Sequence, residues 1–596
     1  MQKINALLLI VSVMAVSGIA NAYTSSIYDP AVVSGGTSGQ LTLIQLNVTP
    51  GNGSISVKGP AIVAQDTLVS AETGAAYAAK YLGMNASIYD FKYTINDSNA
   101  NVSGPSAGLA FTLLAISGLE QKPLLNDFAV TGTISGNGTA GAIGGIYDKA
   151  AAARRGGKSF MIVPYVRQSD LEYLFYYAAQ QSIGIPFAEA ENASEAASYA
   201  FGQTQPLPIS YNYSSSYSVR NLPNANESCN SCNVSYFYPL ENFTLNFTSS
   251  EIGSMGSNFS ALKQQMLSVL SSYSTIGGSG YLYTASDFAF NEYIDAFTAA
   301  SIKGSSLRNA SSTINMVSNY CSSLSPPQLT AQNYEYVIGG RLRQALAQST
   351  INDSLIALNS STSSDGITLS LRDAGTAYAW CKAAYQMYNI AYSIGGNNVT
   401  YNQNVRQIAG QYLSEAAQES SSNTYLSIAT ESYDKGDYYT AIYASIYSMV
   451  FDSNSGLNAS AAQSMYANAT RSQFGIWSKE FALQSGFFLY QANQTSNKTA
   501  SNSYLTTAYS SALLSSMLAA ANRQISSNFT NATAAYAQPA GNIQNQLNEI
   551  FGMLALIFIA LIIIFIILLK NEINGARQHA PSSAQQAVSR NRRKRR

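Results

Sequence analysis

The spacing of apolar positions changes period several times in the first third of the chain. Residues 41–48 (LTLIQLNV) and 88–95 (IYDFKYTI) alternate apolar with polar side chains, the period of a half-buried strand, and 53–57, 128–134 and 160–163 have the same character. Between them, 67–82, 105–119 and 147–155 carry apolar or small residues at three-to-four spacing, rich in Ala, which predicts helices. Strands alternating with helices over residues 35–205 predict an α/β (α+β) domain. Residues 206–250 are polar and rich in Tyr and Asn, and read as an irregular connector. From 251 to 528 the pattern is long, Ala-, Ser- and Tyr-rich and helical.

The two ends differ from this body. Residues 1–22 hold one Lys, an apolar run from Ala6 to Val16 and an Ala20-Asn21-Ala22 cleavage pattern, which predicts a secretory signal peptide. Residues 550–569 form 20 uncharged positions dominated by Ile, Leu and Phe, enough for one transmembrane helix, with 529–549 as a stalk before it. The segment 570–596 carries eight Lys or Arg against one Glu, a net +7, so the positive-inside rule places this basic tail in the cytoplasm and the body outside the cell membrane. About two dozen Asn-x-Ser/Thr sequons agree with an exported glycoprotein.

Net charge is zero over 596 residues; subtracting the +7 tail and the +1 of Lys3 leaves about −8 on the rest, which argues against nucleic acid as a partner. Only 11% of residues are charged, against about 25% in typical domains, so a hydroxyl-rich surface is expected. The single histidine, His579, lies beyond the expected span. The body therefore has no Ser-His-Asp triad, Cys-His pair or His-ligated metal; no metal or cofactor is expected, and its chemistry must use another base. Cys229, Cys232, Cys321 and Cys381 form an even set in an exported body, suited to two disulfides. Of three pairings, 229–232 with 321–381 is preferred because the first two are already close. The CxxC lacks the βαβ surround of a redox motif, and a zinc site would need the other two at matched short spacing.

Two local motifs can carry chemistry. Gly104-Pro105-Ser106-Ala107-Gly108 runs into an apolar helix, which would set Ser106 at a helix N-terminus where backbone N–H groups stabilise an anion; a lone motif of this kind is equally that of an N-capping serine. Gly144-Gly145-Ile146-Tyr147-Asp148-Lys149 puts a lysine one turn into an Ala-rich helix, poorly placed for solvent if that face packs inward.

Together these segments resemble the proteolytic domain of the Lon family, a Ser-Lys dyad peptidase. The resemblance rests on GPSAG at 104–108, on the Gly-Gly pair with Lys149 four residues beyond the second Gly, and on Val130-Thr131-Gly132 between them. TPGNGSISVKG at 49–59 and IPFAEAENASEAASYAF at 185–201 resemble the family's opening hairpin and its closing strand and helix. It implies Ser106 as nucleophile, Lys149 as general base and acid, Thr131 as the residue orienting Lys149, and the backbone at Ser106 and Ala107 as oxyanion hole. The chain departs from the family where Ser103 precedes GPSAG in place of Asp, and at Thr133, where many members carry an acid. Fewer carboxylates near Lys149 ease its deprotonation, which must fall by about 3 units from a pKa near 10.4 to leave it half neutral at pH 7.

Typical members couple this domain to an ATPase, but the only GK[ST] here, Gly157-Lys158-Ser159, has Ala152 where the P-loop's first Gly belongs and follows a helix instead of a strand. The resemblance thus implies an ATP-independent, membrane-anchored serine endopeptidase acting on unfolded or extended proteins, of the kind found on archaeal surfaces, with a hexamer as the implied assembly. The alternative is a non-enzymatic surface scaffold built on a degenerate peptidase domain; a third reading is release of its own ectodomain. In the helical region, 432–449 (SYDKGDYYTAIYASIYSM) resembles the hairpin turn of tetratricopeptide-type repeats, with Gly436 at the turn. No 34-residue period accompanies it, so an irregular helical bundle is expected.

Overall fold

A computed structural model describes residues 22–32, 38–59, 63–96, 104–167, 171–210, 217–225, 235–302, 307–360, 364–396, 403–419, 423–452 and 459–529. The expected signal peptide, the stalk, the apolar run at 550–569, the basic tail, Cys229 and Cys232 lie outside them. Among the described residues no helix is long and apolar enough to cross a membrane.

The first sheet has the order β1-β2-β4-β3, formed by Tyr23–Val32, Gly39–Pro50, Tyr89–Asn96 and Ile55–Lys58. β1 and β4 each pair antiparallel with β2, and β3 pairs parallel with β4. Alternation does what the sequence implies: Phe91, Tyr93 and Ile95 of β4 are buried while Lys92, Thr94 and Asn96 are exposed. A second, parallel sheet follows the order β5-β8-β9, from Phe128–Val130, Phe160–Pro164 and Phe187–Ala190; β6 (Thr133–Ile134) and β7 (Ala140–Gly141) form a small antiparallel ribbon.

Helices fill the layers. α1 (Gln65–Tyr81) packs on α2 (Gly108–Glu120) through a stripe of alanines at 71, 75, 78 and 79. α2 is apolar on all sides and is buried from Gly108 to Leu119, as such a helix must be. Leu109, Phe111, Leu113, Leu114 and Ile116 each contribute about 1.5–3 kcal/mol there. α3 (Ile146–Arg155) packs on β1 and β2; α4 (Leu171–Ile183) and α5 (Ala193–Ala200) complete the domain.

The structure differs from the sequence reading at five places. The hairpin expected at 49–59 is not a paired ribbon, since β3 lies parallel to β4 and does not neighbour β2. The sheet starts at β1, twelve residues before 35. The continuous strand expected at 128–134 is broken at Thr131-Gly132. α4, whose Tyr-rich sequence gave no clear period, was not foreseen. The stretch read as an irregular connector to 250 becomes helical at α6 (Tyr238–Ser254), where Pro239 suits the first turn and Leu240, Thr244, Thr248 and Ile252 line one face.

Eleven further helices follow among the described residues: α7 (Ser260–Gly278), α8 (Leu282–Ser301), α9 (Leu307–Ser323), α10 (Tyr334–Ser360), α11 (Ser364–Ile394), α12 (Gln403–Glu419), α13 (Thr424–Asp434), α14 (Tyr438–Asp452), α15 (Ala459–Arg471), α16 (Ile476–Gln494) and α17 (Lys498–Ser527). α13 and α14 form the hairpin expected around Gly436, which takes φ 80° at the turn, with Ile442 and Ile446 buried. A disulfide joins Cys321 of α9 to Cys381 of α11. One apolar cluster runs from Met161 and Val163 of β8 through Tyr173, Phe175 and Tyr176 of α4 to Phe237, Leu240 and beyond. The helical region is thus packed on the first domain.

Candidate active site

Ser106 lies, half-buried, in a single 3-10 turn (Pro105–Ala107) that feeds directly into α2. Gly104 enters this turn with φ 120°, a conformation that side chains resist, and Pro105 then fixes the next φ. Gly108 is required by space: a Cβ there would stand 2.9 Å from the backbone nitrogen of Ile134. The two glycines of the motif have different duties, one conformational and one steric. Ala107 is buried, and the turn stands at the positive end of the α2 dipole.

The break in the strand after β5 serves this turn. Thr131 still donates its N–H to Ile162 O at 3.1 Å, but Gly132 donates to Ser106 O at 2.7 Å and its own carbonyl accepts from Leu109 N at 2.9 Å. The chain is diverted from the sheet and clamps the Ser106 turn from both sides. Thr131 is fully buried, and its Oγ1 donates to Ser106 O at 3.4 Å.

Lys149 reaches the same place from α3. Its backbone N–H closes the first helical turn on Gly145 O at 3.0 Å, and the helix face that carries it packs against β1 and β2. The side chain is 3% exposed, and Nζ donates to Thr131 Oγ1 at 3.0 Å. Lys149, Thr131 and the Ser106 turn therefore form one connected group, assembled from α3, the strand break and the start of α2.

A residue that the sequence reading missed belongs to this group. Asp29 of β1 is 4% exposed, its Oδ1 accepts no hydrogen bond, and its carboxyl is pushed up to about 7 by burial, with attraction to Lys149 pulling the other way. The signal was available: Ser25, Ile27 and Asp29 alternate onto the core face of β1, so an acid stands in a core register. The segment went unread because it precedes the first strand that the apolar pattern announces.

Lys158, the lysine of the GK[ST] match, is also buried, but it has another use. Its Nζ donates to Asn126 O at 2.8 Å and sits 3.4 Å from the centre of the Tyr28 ring, fastening the approach to β5 onto β1. Burial pushes its pKa down. One of the sequons, Asn101-Val102-Ser103, stands five residues before Ser106 in the sequence and lies outside the described residues. Among those described, no cluster of three or more His, Cys, Asp or Glu could hold a metal ion.

The sequence profile of the Lon protease (S16) C-terminal proteolytic domain matches residues 31–195, which contain Ser106, Thr131 and Lys149. Curated relatives include the Lon protease of Escherichia coli (strain K12), 33% identical over 138 residues, which are 22% of this chain and 18% of that protein. Those of Erwinia amylovora (33% identical; 22% and 18%) and Haemophilus influenzae (34% identical; 22% and 17%) are similar over the same length. The chain spans less than a fifth of the length of these relatives. The likeness is confined to the α/β domain and supports a serine peptidase.

Proposed function

From the premise that residues 31–195 form a Lon-type proteolytic domain, we propose that this chain is an ATP-independent serine endopeptidase with Ser106 as nucleophile and Lys149 as its base. The observation that carries the reading is the buried Lys149 ammonium held on Thr131 Oγ1, beside a turn that presents a serine at a helix N-terminus. Neutral Lys149 takes the proton of the Ser106 hydroxyl as Oγ attacks the scissile carbonyl carbon. Backbone N–H groups at Ser106 and Ala107 stabilise the oxyanion of the tetrahedral intermediate. Collapse breaks the C–N bond; Lys149 returns the proton to the departing amine, leaving an acyl ester on Ser106. Water, deprotonated in turn by Lys149, hydrolyses the ester and regenerates the serine. Thr131 acts by direction: its hydroxyl donates toward Ser106 O and accepts from Nζ, which fixes where the amine points.

The same reading makes the protein a glycosylated surface protein, exported by residues 1–22, held by a span at 550–569 and assembled as a hexamer. The sequence pattern supports glycosylation, export and the span, and the family resemblance supports the hexamer. Substrates are unfolded or extended polypeptides, a reading supported by the one GK[ST] match of the sequence, at 157–159, lacking the first Gly of a P-loop.

The test is hydrolysis of unfolded casein by the purified full-length chain without ATP from pH 6 to 10. Wild type is expected to be active, ATP to leave the rate unchanged, and Ser106→Ala and Lys149→Ala each to lower kcat by about 10³-fold or more. A folded, assembled wild-type chain with no activity, or one whose activity survives Ser106→Ala, overturns the assignment and leaves the α/β domain as a scaffold.

A further inference from the structure

The helical region encloses a cavity of about 300 Å³, bounded by α8, α10, α11, α13, α14, α16 and α17 and remote in sequence from Ser106. Its volume is at the small end of the roughly 300–1,000 Å³ typical of ligand pockets, room for one large side chain and its backbone. One side of its wall is aromatic, with Tyr283, Trp380, Tyr425, Tyr447, Phe451 and Phe481, and α17 adds hydroxyls such as those of Thr506 and Ser510. Two charged side chains, Asp287 of α8 and Arg343 of α10, interrupt that wall. They also line, with Tyr283 and Trp380, a second cavity of about 30 Å³, so the charges stand between the two spaces.

The two charges attract each other, but among the described residues no hydrogen-bonded ion pair joins either of them to a counter-ion. Arg343 is 6% exposed, yet its guanidinium makes one hydrogen bond among the described residues, from Nη1 to Gly339 O at 3.2 Å. Its centre lies 4.6 Å from the Trp477 ring and 5.8 Å from the Trp380 ring, contacts that stabilise the cation but leave its in-plane N–H groups to find acceptors elsewhere. The Asp287 carboxylate accepts no hydrogen bond among the described residues, and no ion pair joins it to Arg343. Burial pushes its carboxyl up to about 6, with Arg343 opposing. Keeping two opposite, unjoined charges at a largely buried cavity is costly without a partner that engages both.

We propose that this cavity binds a free α-amino acid with a large apolar side chain, its carboxylate on Arg343, its ammonium on Asp287 and its side chain among the aromatic walls. A planar guanidinium matches a carboxylate in a two-point fork, and the tyrosine and tryptophan faces favour both an apolar group and an ammonium. The inference is independent of the peptidase reading.

The chain supplies its own probe. It has two tryptophans, Trp380 and Trp477, and both face Arg343, so intrinsic fluorescence reports on this site. The full-length chain is titrated with L-phenylalanine, N-acetyl-L-phenylalanine and L-phenylalaninamide, with calorimetry in parallel. L-Phenylalanine is expected to give a saturable change, and each blocked compound to bind at least about tenfold more weakly. Asp287→Asn, with an unchanged thermal midpoint, should weaken L-phenylalanine to the level of the N-acetyl compound while leaving that compound within about twofold. No saturable change or heat with L-phenylalanine up to about 10 mM overturns the proposal, as does equal affinity for the free and blocked compounds.

Discussion

Among the described residues two lysines are buried, and their partners separate their roles. Lys158 is tied to a carbonyl and an aromatic face, a structural clamp; Lys149 is tied to a hydroxyl that also touches the serine turn. Asp29 adds a carboxyl to the Lys149 environment that the motif alone does not include. When ionised it favours the Lys149 ammonium, the form that cannot act as a base; when protonated it leaves the amine freer to lose its proton. Asp29→Asn removes that attraction permanently. The acid limb of kcat/KM against pH is expected to move to lower pH by about 1 unit, and a profile superimposable on wild type would sink the assigned role. Ser106, Thr131 and Lys149 could be named from the sequence because GPSAG, the Gly-Gly pair before Lys149 and Val130-Thr131-Gly132 between them resemble motifs of the Lon family at matching spacing. Asp29 could not, because its meaning depends on β1 lying beside α3, a contact over about a hundred residues that no local pattern encodes.

Helices and strands follow the apolar pattern where one face meets the core and depart from it where a side-chain or backbone contact intervenes. β2, β4, α1, α2, α3 and β8 lie within a few residues of their expected limits. The interruption between β5 and β6 was invisible because Val130 to Ile134 is a good strand sequence; the competing hydrogen bonds to the Ser106 turn decide the outcome. A similar long-range device starts α16. Its first N–H groups, Ile476 and Trp477, donate to Glu335 Oε2 at 2.7 and 3.2 Å, and Asn522 of α17 donates to the same oxygen at 3.0 Å. Glu335→Ala takes their acceptor from the Ile476 and Trp477 N–H groups and one of two acceptors from the Asn522 amide, and is expected to cost about 2–3 kcal/mol, read from the urea midpoint. Glu335→Gln keeps an acceptor oxygen and should cost less than half as much; equal losses for the two would show that the cap is not what matters.

Among the described residues one apolar cluster spans both regions, because α4 offers Tyr173, Phe175 and Tyr176 to the helical region while the adjoining β8 and α3 contribute Met161, Val163 and Ile146; a separate cluster fills the space between the first sheet, α1 and α2. Burial raises several carboxyls in the fold: Asp29, Glu241 and Glu335 to about 7 and Asp287 to about 6. A carboxyl with a folded pKa above its unfolded value of about 4 binds its proton more tightly when folded. Folding then takes up protons between about pH 4 and 7. The associated stability is fully present below that window and is lost as pH rises through 7. The thermal midpoint is therefore expected to be roughly 3–5 °C higher at pH 5 than at pH 7.5, measured by scanning calorimetry. A midpoint that is flat or rises over that interval contradicts these protonation states.

What the sequence determined by itself was local: alternation and helical spacing for most elements of the α/β domain, the Gly-Pro-Ser turn, the small-residue helix that carries Lys149, and the lack of any histidine that could serve as base in the body. Each depends on residues close in the chain, whose sterics and hydration fix their conformation. The tertiary structure decided which buried lysine meets the serine turn and that an acid of β1 accompanies it. It also set where a strand must break, and gathered seven helices around Asp287 and Arg343. Those outcomes depend on which surfaces pack together, and buried charge takes its meaning from neighbours that folding supplies from hundreds of residues away.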